Sequence, residues 1–162
     1  MHYNTIRADY GLPALVRNSQ LDTVAQGFSD SMASTLTYPW NGSHEAGGNK
    51  WSGTGGRMKT ILGMGFAYPA ENIMRVSGTE TRFGCDNVPM FVEKTANSIA
   101  VYTALSWVEH DGCANNGHRK TVLSDPANYG GTTEYLPTDV GIGIAKGSDG
   151  QYYITAEFAH KN

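Results

Sequence analysis

The chain has 162 residues, a net charge of −3 and 20 glycines; 40% of its residues are hydrophobic and 17% charged. That length suits one domain that buries its own core without needing a metal or a staple to fold. Scattered Lys and Arg exclude the basic stripe of a nucleic-acid-binding protein, and no apolar run is long enough to make a transmembrane segment.

The opening stretch, MHYNTIRADY, has no apolar core of a signal peptide. Tyr3, Ile6 and Tyr10 fall at helical spacing, and Gly11 and Pro13 stop that helix. Leu21, Val24, Ala25, Phe28 and Met32 then follow at i, i+3, i+4, i+7 and i+11, which predicts an amphipathic helix capped by Asn18 or Ser19. Residues 37–56 have no period and are rich in Gly; they predict a long loop, and loops of this length often carry function. GRMKTILGMGF predicts a short helix ending at Gly63 or Gly65, whereas PAENIMRV reads as either a strand or an irregular turn.

A third helix is expected over residues 90–110, with Val101, Ala104, Leu105 and Val108 on one face, and HRKTVL adds a further helical turn. VGIGIA and YYITAEF alternate about the turn KGSDGQ, the pattern of a β-hairpin. Helices first and an antiparallel sheet late, with no βαβ rhythm, predict an α+β fold.

The residues able to carry chemistry are His44, Glu71, Glu109, His110 and His118. Two imidazoles with one or two carboxylates can bind a divalent cation, act as general acid and base, or simply brace loops. Spacing alone does not join His44 to His118. No G-x-S-x-G, P-loop, H-E-x-x-H or G-x-G-x-x-G motif is present. Asn41–Ser43 forms a glycosylation sequon. Cys85 and Cys113 sit in Gly-rich stretches outside any CxxC. They are either two free thiols or one disulfide, which would close a loop of about 29 residues worth roughly 3–4 kcal/mol.

Taken in chain order, these pieces resemble the CAP superfamily of cysteine-rich secretory, antigen 5 and pathogenesis-related 1 proteins, most nearly its bacterial extracellular, SCP-like branch. YNTIRADYGLPALVRNSQLDTVAQGFSDSMA is similar to the family opening, an N-x-x-R-x-x-x-G-L-P-x-L stretch leading into a large helix. GRMKTILGMGFAYPAENI is similar to the segment ending in G-E-N-[IL], with Ala70 in place of the Gly. GHRKTVL resembles the bacterial GHR-x-x-[IL]-L signature, and VGIGIAKGSDGQYYITAEF the closing hairpin, although the family's T-Q-x-F reads here Thr155, Ala156, Glu157, Phe158.

The resemblance implies a single SCP-like domain over residues 1–162, folded as a three-layer α-β-α sandwich with a central antiparallel sheet. It implies a secreted, monomeric protein whose signal peptide is absent from this sequence, an oxidising setting that favours the Cys85–Cys113 disulfide, and a cleft of His and acidic residues. His44 matches the first cleft His, Glu71 the Glu of the G-E-N motif and His118 the second His. The metal ligands are then His44 and His118, holding a divalent cation such as zinc. Eukaryotic branches place a second acid three positions after a helix Trp; here that position is His110, Glu109 falls one short, and both remain open for the role. The expected function is a binding module for a metal, a sterol or other lipid, or a peptide, and not an enzyme. The alternatives are an extracellular hydrolase using Glu71 or His118, with Ser43 or a metal-bound water as nucleophile, and an interaction or surface-display domain with a relic cleft.

Overall fold

The computed structural model describes residues 2–39, 42–77, 81–83, 89–91, 95–111, 116–126, 129, 131 and 133–162. The chain forms two compact units, Met1–Leu15 with Ser77–Leu136, and Val16–Val76 with Pro137–Asn162. Cys85, Cys113 and Asn41 lie outside the described residues.

The second unit holds β1 (Val16–Arg17), α2 (Ser19–Thr35), α3 (Arg57–Gly63), β2 (Phe66–Val76), β5 (Asp139–Lys146) and β6 (Tyr152–Lys161). Its four-stranded sheet runs β1-β5-β6-β2. The predicted hairpin is β5–β6, antiparallel from Asp139↔Ala159 to Lys146↔Tyr152. β2 pairs antiparallel with the other edge of β6, while the two-residue β1, which no sequence pattern announced, pairs parallel with β5. β6 lies between β5 and β2 inside the sheet, and its residues are buried without alternation from Tyr153 to Ala159. PAENIMRV resolves to strand. The irregularity comes earlier, in a register shift between Ala67 and Ala70 where Tyr68 has φ +48° and Pro69 lacks a ladder donor.

α2 starts where expected, with the Asn18 side chain accepting from the Gln20 N–H. Its inner face is Leu21, Ala25, Phe28, Ser29, Met32 and Ala33. The helix lies directly on β5 through the two glycines of VGIGIA. A Cβ on Gly141 would stand 2.1 Å from the Leu21 carbonyl carbon, and one on Gly143 2.3 Å from that of Ala25. The short β1 leaves most of the outer edge of β5 open, and α2 side chains close it. Asp22 accepts the Ile142 N–H at 2.8 Å; Gln26 accepts the Ile144 N–H and donates to its carbonyl. Side chains thereby satisfy backbone groups that would otherwise invite another strand.

The first unit contains α1 (His2–Asp9), β3 (Thr81–Phe83), β4 (Pro89–Phe91), α4 (Ala96–Val108) and α5 (Gly117–Val122). The helix expected from residue 90 starts later. Residues 89–91 pair antiparallel with 81–83, and α4 begins after Thr95, whose hydroxyl accepts the Ser98 N–H. The inner face of α1 also departs from its apolar pattern: Tyr3 and Arg7 are buried, whereas Tyr10 is exposed. Arg7 is drawn inside because its guanidinium has three acceptors, the Pro13 and Val122 carbonyls and the Ser124 hydroxyl. Asn4 brackets Leu15 by donating to its carbonyl and accepting its N–H, both at 2.9 Å. The opening N-x-x-R and GLP motif is therefore a brace for its own unit.

Candidate functional site

His44 and His118 are each held by a carboxylate inside their own unit. In the second unit, His44 sits in the long loop with φ +54°. A short return follows it, in which Ala46 and Asn49 exchange backbone hydrogen bonds around Gly47 and Gly48, both at positive φ. His44 Nδ1 lies 2.7 Å from Glu71 Oε1. An ionised carboxylate only accepts, so Nδ1 carries the proton and Nε2 the lone pair.

Glu71 is buried and sits just past the register shift on β2. Arg57, the first residue of α3, gives it a two-armed grip: Nη2 donates to Oε1 and Nε to Oε2, each at 2.8 Å. Arg57 also donates to the His44 carbonyl and to Asn49 Oδ1, both at 2.8 Å, and its guanidinium carbon lies 3.4 Å from the centre of the Phe28 ring. One side chain thus ties the His44 loop, α3 and the sheet together. Burial by itself would raise the Glu71 carboxyl. Hydrogen bonds from His44 and Arg57, with the Arg57 charge, outweigh it and hold the group below the ordinary carboxylate range.

In the first unit, His118 occupies the first turn of α5, which Asn116 opens from a left-handed conformation (φ 58°). Its Nδ1 is 3.0 Å from Asp111 Oδ1, and Asp111 Oδ2 accepts the Arg119 N–H at 2.8 Å. The imidazole stacks on Trp107 (ring centres 6.1 Å apart, planes 16° apart), which in turn stacks on Tyr3. Arg119 extends the brace, donating to the Val108 carbonyl and the Tyr10 hydroxyl.

Of the residues expected from sequence, the structure brings His44 and Glu71 together in one unit and places His118 and Glu109 in the other. Glu109, the C-cap of α4, is exposed and accepts from the Tyr10 hydroxyl at 3.2 Å. The carboxylate on His118 is Asp111, which sequence reasoning passed over between Glu109 and Cys113. Arg57 and Glu157 were also missed. An acid in a strand with apolar neighbours on both faces was the available signal for Glu157; Arg57 offered none beyond its place at a helix start.

An imidazole with Nδ1 fixed by a carboxylate presents a basic Nε2, the form that ligates zinc and other divalent cations. His44 and His118 each have this carboxylate-backed form within their own unit, while among the described residues no group of three or more His, Cys, Asp or Glu side chains is gathered as a metal site.

A family model described as Cysteine-rich secretory protein family, or CAP, matches residues 2–133. No curated protein matches the chain. Among solved structures, an extracellular protein containing a SCP domain from Bacillus anthracis str. Ames is similar at a TM-score of 0.59 and 20% identity, over 98% of this chain and 38% of that one. The present chain therefore spans 38% of that protein's length. An outer surface protein from Borrelia burgdorferi is similar at a TM-score of 0.57 and 13% identity, over 99% of this chain and 87% of that one. At such identities the likeness is one of fold, here the SCP-type α+β sandwich that the sequence resemblance implied. No described helix is long and apolar enough to cross a membrane. With the family model covering most of the chain and the fold agreeing with it, the chain belongs to the CAP family, the cysteine-rich secretory proteins.

Proposed function

We propose that this protein is an extracellular CAP-domain binding module that takes up a divalent cation, zinc best, with His44 Nε2 and His118 Nε2 as the candidate ligands, each in its own unit. The observation that carries the reading is the carboxylate behind each ring: Glu71 on His44 Nδ1 at 2.7 Å and Asp111 on His118 Nδ1 at 3.0 Å. Such partners set the tautomer and the ring orientation and raise ligand basicity. The extracellular setting rests on the solved relatives, one an extracellular and the other an outer surface protein.

A site with so few protein ligands has modest affinity, since structural zinc normally has four. Calorimetry with zinc on the intact chain tests the reading. A saturable heat is expected for the wild type, and each of His44→Ala and His118→Ala should reduce it. Binding should weaken on acidification, because only neutral imidazole ligates. Unchanged titrations in both variants would place any metal elsewhere.

A further inference from the structure

Glu157 is a buried ionisable group with no role in the reading above. It lies directly opposite Glu71 across the β2–β6 ladder and is fully buried. Directly opposite residues share a face of the sheet, and the third member of that row, on β5, is Gly141, which offers no side chain. Two carboxyl groups are thus side by side, and among the described residues Arg57 is the one cation paired with either. Arg57 spends both arms of its fork on Glu71, and its Nε stands 3.5 Å from Glu157 Oε1, too far for a hydrogen bond. As a carboxylate, Glu157 would have no donor to either oxygen among the described residues. As a carboxylic acid, it has a hydrogen to give and an anionic acceptor in Glu71.

We propose that Glu157 is a positioning residue for His44: a neutral carboxylic acid at neutral pH whose O–H donates to Glu71, leaving Glu71 as the single anion shared by Arg57 and His44. The proton resolves the cluster's charge. Two buried carboxylates against one guanidinium would leave an uncompensated negative charge in the interior; with one proton, Glu71 and Arg57 balance. Burial, followed by the Glu71 charge, pushes the Glu157 carboxyl well above its usual range, in line with the same assignment. Among the described residues, the remaining charged or titratable contact of Glu71 is His44, at the solvent side of the cluster. A neutral donor behind Glu71 fixes the carboxylate without competing for its charge, so the anion stays directed at the imidazole. The inference rests on the cation-binding reading only for its consequence at His44; the protonation state of Glu157 stands apart from it.

Two measurements test it. The carboxyl carbons of Glu are followed by NMR in 13C-labelled protein at pH 7, in wild type and Glu157→Gln. One carboxyl in the neutral-acid range, absent from the variant, is expected; a spectrum in which every Glu is ionised overturns the proposal, whether or not zinc binds. Zinc affinity is then compared in Glu157→Gln and Glu157→Leu. Gln is neutral and can donate N–H to Glu71, so it should keep affinity within about twofold, whereas Leu, with no donor, should lose about tenfold or more, the range for lost outer partners. Equal losses in the two variants would reduce Glu157 to a space-filling role and overturn the positioning claim. Should Glu157→Leu not fold, the Gln variant decides alone, and a large loss there counts against the proposal. Absence of zinc heat in the wild type would refute the cation reading while leaving the NMR result to judge Glu157.

Discussion

Glu71 and Glu157 stand directly opposite each other on neighbouring strands, both buried, and the Arg57 fork closes on only one of them. This asymmetry pushes the two carboxyls in opposite directions, Glu71 down and Glu157 up. Their contributions to stability therefore have opposite signs against pH. Glu71, depressed in the folded state, contributes stability above its unfolded value of about 4.3, lost as pH falls through its folded value. Glu157, raised in the folded state, binds a proton that the unfolded chain has released, so its contribution declines as pH climbs above about 4.3 toward the folded value. Thermal melts of wild type and Glu157→Gln between pH 4 and 8 should show the variant gaining on wild type as pH rises. Each kcal/mol of difference should appear as roughly 2–4 °C. A gap that does not change with pH would contradict the assignment.

Arg57 is the hinge of the same cluster. Arg57→Met keeps an unbranched side chain at this position but removes the guanidinium that lies over the Phe28 ring and leaves Glu71 buried without its cation. Removing one partner of a buried ion pair costs about 3–5 kcal/mol. Urea unfolding should show a loss of that order. A loss under about 1 kcal/mol would mean that Glu71 is compensated by another group.

Asp111 and Glu109 provide a contrast on α4's exit. Asp111→Asn turns a carboxylate into an amide and weakens the hold on His118 Nδ1, so zinc affinity should drop about 10–100-fold. Glu109→Gln, altering an exposed side chain that touches only the Tyr10 hydroxyl among the contacts described, should stay within about twofold of wild type. Similar losses in both would make the effect one of general surface charge.

The glycines of β5 test the packing. Gly143→Ala would put a methyl carbon 2.3 Å from the α2 backbone, a contact that only a shift of the helix can relieve. Destabilisation of about 1–3 kcal/mol or more is expected. Gly27→Ala, where a Cβ meets nothing within 4 Å inside a helix, should be neutral or stabilising. Chemical denaturation of the pair decides.

Cys85 and Cys113 are expected to be joined in protein that has never met reductant, given an extracellular family. Ellman's reagent on the unfolded, non-reduced chain should find no free thiol. Two thiols would rule out the bridge.

Local chemistry wrote α2, α3, α5 and the hairpin into the sequence. The cap at Asn18, the apolar period from Leu21 to Met32, and the turn residues of KGSDGQ act over a few neighbouring positions, so they can be read without the rest of the chain. His44, Glu71 and His118 were singled out as candidates through motifs that travel with the family. Tertiary structure alone decided β1, the β3–β4 ladder, the burial of Arg7, and the partners Arg57, Asp111 and Glu157. A strand pair or an ion pair is stabilised by a partner distant in sequence, and nothing in the local spacing of Glu157 announces that Glu71 will stand opposite it. The direction in which a buried carboxyl shifts follows from its surroundings: Glu71, where the Arg57 fork closes, is held down, and Glu157, buried one strand away beside that anion, is pushed up.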